Sequence, residues 1–195
     1  MRLTVPADAG APGDPDRVLF VLGIEPAERE VLLTIGDLVL ALLASEPGAA
    51  RPTDPALLRL LPDVVADPAE AADLRRLSHD DVRRTKADHL RTLRRVALAA
   101  EPDVAVTAAD APGLTQALSH VRLVLAERLG IVTDEDSAAL DHEIATGAAD
   151  RDRTYLGTVW QMLGALQGAV VERLIANLDV RPAPGDGGTR GVGDA

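Results

Sequence analysis

Three segments of this chain repeat apolar residues every third or fourth position, and proline or glycine closes each one. Leu32, Ile35, Val39, Leu42 and Leu43 form the first such set, Val82, Leu93, Val96 and Ala100 the second, and Leu118, Val121, Leu125 and Leu129 the third. A period near 3.6 residues puts each set on one stripe of a helix, and such stripes are buried most simply against one another. A mainly α-helical, single-domain bundle follows. With 47% hydrophobic residues in 195, there is enough apolar surface to close a core.

The punctuation sets the boundaries. Residues 1–16 carry Pro6, Gly10, Pro12, Gly13 and Pro15 without apolar periodicity and read as a flexible N-terminal arm. Arg17 to Ile24 is a short apolar, β-enriched run that reads as a buried strand. Glu25-Pro26 opens a helix that Pro47-Gly48 ends; its run from Leu38 to Ala44 is apolar on nearly every side, which marks the helix as central. A short helix is expected from Pro55 to Leu61 and another from Pro68 to Leu77 behind an Asp67 cap. Ser78 and Asp81 have capping-box spacing, so a separate helix is expected from Ser78 to about Ala100. Val104 to Thr107 would be a second strand pairing with 17–24, giving a small two-stranded β element. Further helices are expected over Leu114–Leu129, capped by Gly130, and Tyr155–Leu178, with a short helix within the acidic stretch 133–153. The helical regulatory domain would span 17–179, and the Gly/Pro-rich residues 180–195 read as a disordered tail.

Several function classes fall away. The chain has no cysteine, which removes disulfides, thiol nucleophiles and thiolate metal sites. It has three aromatic residues, Phe20, Tyr155 and Trp160, too few for a base-stacking platform. The start shows no secretory signal, and no apolar run approaches the roughly 20 residues of a membrane span, so a cytoplasmic protein without membrane contact is expected. There is no nucleophile elbow, phosphate loop or dinucleotide fingerprint. His79-Asp80-Asp81 suggests a helix start rather than a metal site, and the adjacent Asp141, His142 and Glu143 cannot converge on one ion. His89 lies beside the apolar stripe as a half-buried, hydrogen-bonded residue. No catalytic residue, metal or cofactor is expected.

The formal charge of −11 would repel phosphate polymers, yet eight basic and three acidic side chains fall within residues 75–95. On a helical wheel Arg84, Arg91 and Arg95 lie within about 40° of one another, flanked by Arg83 and Arg94, with Lys86 in the same segment. Guanidinium groups suit phosphate and carboxylate alike. This basic face is either a solvated surface neutralised by the chain's own acids or a grip on DNA or an acidic protein. Gly157, Gly164 and Gly168 interrupt the last helix at a cost of up to about 1 kcal/mol each, which calls for close helix approach. With Trp160 they mark either internal packing or a homodimer seam.

Three stretches carry a family resemblance. They are Asp54-Pro55-Ala56-Leu57-Leu58-Arg59-Leu60-Leu61-Pro62-Asp63 with Asp67-Pro68 and Arg75 to Arg83, then Val121 to Gly130, and the opening Glu25 to Leu33. Together they resemble an actinobacterial family of domain-of-unknown-function proteins that carries the name oxidative-stress transcription regulator AosR. The resemblance implies a non-enzymatic cytoplasmic regulator acting with a sigma factor and on DNA. The alternative is an interaction module without DNA binding whose basic helix docks an acidic partner. The family's oxidant sensing rests on a cysteine pair, which this chain does not have.

Overall fold

The computed structural model describes residues 1–6 and 14–179. Three short strands, β1 (Arg2–Thr4), β2 (Val18–Gly23) and β3 (Asp103–Thr107), form an antiparallel sheet in the order β1-β2-β3. Six helices make up the rest of the described fold: α1 (Pro26–Ser45), α2 (Pro55–Leu60), α3 (Pro68–Leu98), α4 (Asp110–Leu129), α5 (Asp134–Thr146) and α6 (Arg151–Asp179). The mainly helical single-domain expectation holds. The tail from 180 onward and residues 7–13 of the arm lie outside the described residues.

β2 and β3 pair as expected, with Phe20 opposite Val106 and Leu22 opposite Val104. Phe20, Leu22 and Val106 are fully buried, so the sheet turns one face to the helical core. The sheet has a third strand, because Arg2–Thr4, assigned to the flexible arm, pairs with Val21–Gly23. Three residues are too few to show a period, which is why pattern reading passed over this edge.

The helix starts follow local chemistry. Asp54 accepts from the amides of Ala56 (2.7 Å) and Leu57 (3.3 Å), and Asp67 from those of Ala69 and Glu70. Thr133 caps α5 reciprocally with Asp136. Gly130 and Gly147 end α4 and α5 in the left-handed region, at φ +73° and +70°.

Two expectations are corrected. α3 is one continuous helix, not two: the Ser78 hydroxyl donates to the Leu74 carbonyl at 2.8 Å instead of capping a new start. No proline or glycine interrupts 69–98, so nothing breaks the ladder there. The most enclosed helix is α4, not α1. α4 buries Ala111, Leu114, Ala117, Leu118, Val121 and Leu125 between α1, α2, α3 and α6, whereas α1 leaves Leu38 64% exposed.

α5 is pinned by a smaller cluster of Ala126, Leu129, Ile131 and Leu140, with Ile144, Leu156 and Trp160 against it. Gly157 makes that contact workable: a Cβ there would lie 2.7 Å from Ile144 Cδ1 and 3.2 Å from both Leu140 methyls.

Candidate functional site

Most of the arginines expected to form an open ridge on α3 are already held by the chain's own carboxylates. Arg84 pairs with Asp81 at 2.9 Å and Arg91 with Asp88 at 2.5 Å, each one turn back on α3. Arg94 reaches Asp37 on α1 at 3.1 Å. Arg95 makes a two-pronged contact to Asp110 at 2.7 and 2.8 Å, which holds the Asp110 carboxyl below its ordinary range and raises Arg95. Upstream, Arg75 pairs with Asp63 and Arg76 with Asp73.

Arg83 departs further from expectation. It is buried, pointing inward to donate to the Leu43 carbonyl at 2.6 Å, and so caps the last turn of α1. A cation suits the negative end of that helix dipole. Its Nε and Nη2 have no hydrogen-bond partner among the described residues. Arg83 is therefore a structural residue and not part of an outer binding face.

Lys86 is the cation in this stretch that remains. It is half-buried, burial lowers its pKa, and no carboxylate opposes it among the described residues. It lies between two adjoining hollows of about 160 and 270 Å³, to both of which Ser78, Val82 and Lys86 contribute. Leu60, Leu61 and Leu74 give the first an apolar floor; Gln116, His89 and His120 line the second.

His89 on α3 and His120 on α4 meet across this groove, Nδ1 to Nε2 at 3.3 Å, with their rings stacked 5.5 Å apart. Burial pushes His120 down to about 4, and the nearby Lys86 and His89 add to it. His89 is lowered by burial and by Lys86, and His79 by burial and by Arg83. All three imidazoles are thus neutral near pH 7, and His79 is a buried residue of α3, not part of a helix start. The partnership of His89 with His120 was invisible in the sequence, where 31 residues separate them. Among the described residues no group of three or more His, Asp or Glu is placed to hold a metal ion.

Trp160 and Gly164 face α4, where Arg122 lies over the Trp160 ring at 4.8 Å. A Cβ on Gly164 would come within 3.3 Å of the Arg122 guanidinium carbon, whereas Gly168 looks onto open space. Three of the four seam candidates, Gly157, Trp160 and Gly164, thus take part in intramolecular contacts.

A family model described as a domain of unknown function, DUF2017, matches residues 8–174. The chain belongs to this family. No curated protein and no solved structure matches it. No helix among the described residues of this DUF2017 protein is long and apolar enough to cross a membrane.

Proposed function

We propose that this DUF2017 protein is a non-enzymatic cytoplasmic regulator that acts by docking an acidic protein segment along the Lys86 groove of α3. The observation that carries the reading is the contrast within one helix. Arg84, Arg91, Arg94 and Arg95 each hold a carboxylate, whereas Lys86 sits unopposed beside Val82 and next to an apolar hollow rimmed by the exposed Val64. An acidic side chain entering there would relieve the desolvated ammonium, and apolar neighbours of that acid would cover Val64 and Val82. The resemblance to the oxidative-stress regulators makes a sigma factor the natural acidic partner and transcription the setting. Without cysteine, the oxidant signal would have to arrive through that partner, because the chain cannot form a disulfide.

Titration calorimetry with the sigma factor tests this. Lys86→Glu should abolish binding, whereas Arg84→Glu and Arg91→Glu should leave it within about threefold, since those side chains are exposed and already paired. Equal losses for all three variants, or no loss for Lys86→Glu, would refute it.

A second reading, direct DNA contact, draws on the exposure of Arg84 and Arg91. Their pairs are of the surface kind, worth about 0–1 kcal/mol, which a phosphate could displace. It requires DNA mobility shifts that weaken steeply with salt and a shallower salt slope when both arginines are neutralised.

A further inference from the structure

Arg122 is a guanidinium that no acid opposes among the described residues. It projects from α4 into a hollow of about 410 Å³ bounded by α4, α6 and the segment leading into α5. Its Nη1 donates to Gln167 Oε1 at 2.8 Å, its Nε is buried without a partner, and its face lies on Trp160. Among the described residues no carboxylate stands within ion-pair distance of it, and burial alone lowers its pKa. One neutral amide oxygen and one aromatic face compensate a desolvated guanidinium only in part.

The surroundings hold this cation in place. Gln167 is itself fixed, donating at 2.5 Å to Ser119, whose hydroxyl donates on to Thr115. Gly164 leaves the space that the guanidinium occupies. Arg59 also lines the hollow, donating to the Ile131 carbonyl at 3.0 Å and, at 3.3 Å, to Glu127. Among the described residues Asp134 is the one carboxylate in the lining, to which Thr133 and Ser137 also contribute. Leu123 and Val132, both exposed, supply apolar wall. The volume lies within the range of small-molecule pockets, which combine apolar walls with a few fixed polar groups.

We propose that this hollow binds a small organic carboxylate, its anionic head against Arg122 and its apolar body along Trp160, Leu123 and Val132. The site uses no residue of α3 and is independent of the docking groove.

Trp160 is the only tryptophan, so its fluorescence reports on the site directly. Hexanoate should be titrated into the full chain at constant ionic strength, with hexan-1-ol and inorganic phosphate in parallel. The expected result is a saturable change in Trp160 emission with hexanoate, at least about tenfold weaker in Arg122→Met and absent with hexan-1-ol. Arg122→Lys, which keeps the charge, should retain weakened binding and guards against a folding defect in the methionine variant. No saturable response to hexanoate, an equal response to hexan-1-ol, a response unchanged in Arg122→Met, or a response to phosphate alone would overturn the proposal.

Discussion

Gly157 and Gly168 lie on the same helix and should respond to alanine in opposite directions. Alanine is favoured over glycine in a helix by up to about 1 kcal/mol, and that gain is common to both positions. At Gly168 nothing lies within 4 Å of the added methyl, so Gly168→Ala should stabilise by about 0.5–1 kcal/mol. At Gly157 the methyl would meet Ile144 Cδ1 at 2.7 Å and both Leu140 methyls at 3.2 Å. Ile144 is only partly buried and can turn away, but Leu140 is fully buried and α5 must move with it. Overpacking of this kind costs about 1–3 kcal/mol, so Gly157→Ala should be destabilising by up to about 2 kcal/mol after the helix gain. Urea denaturation followed by circular dichroism gives both values. Adding Leu140→Ala to Gly157→Ala should recover less than additive loss, because the two substitutions share one space. If Gly157→Ala stabilises as much as Gly168→Ala, the α5–α6 contact is not as described.

Two further substitutions test buried polar groups. His120 is neutral in the folded state with a pKa of about 4, against about 6.5 unfolded, so the unfolded chain alone takes up a proton between those values. Its contribution is therefore full above pH 6.5 and lost as pH falls towards 4, amounting to about 2 kcal/mol between pH 7 and pH 5. His120→Gln should flatten that part of the stability–pH curve in urea melts at the two pH values; an unchanged slope would count against a buried neutral imidazole. Arg83→Ala should destabilise by about 2 kcal/mol or more through the lost α1 cap and the space left behind, while Arg84→Ala stays within about 0.5 kcal/mol. Comparable effects at the two positions would contradict their different burial.

Most helices were legible because each carries part of a local code: apolar spacing, a proline at the start of α1, α2 and α3, a glycine at the end of α4 and α5. β1 was not, because its evidence is the pairing with β2 and not its own three residues. The continuity of α3 was obscured by a serine and an aspartate at cap spacing, whose hydroxyl turned out to be satisfied within the helix. In the candidate site, the carboxylates facing Arg84 and Arg91 stand three residues back and could be read from the sequence. Asp37 and Asp110 could not, since they arrive on other helices to neutralise Arg94 and Arg95. A wheel gives an angle but not the depth of neighbouring elements, so it sets Arg83 on the outer face although the end of α1 covers it. The His89–His120 contact likewise depends on how α3 crosses α4.

Self-neutralisation of the α3 arginines is what separates protein docking from DNA binding in this account. It is tested by replacing Asp37, Asp81, Asp88 and Asp110 together with asparagine. A control variant carries Asp16→Asn, Glu30→Gln, Asp152→Asn and Glu172→Gln, four exposed acids, for the same change in net charge. Heparin retention and DNA mobility should stay at the wild-type level in the control and rise sharply in the α3 variant, with a steep salt dependence. Strong, salt-sensitive DNA binding by the wild-type protein, or equal gains in both variants, would contradict the claim that these guanidinium groups are already spoken for.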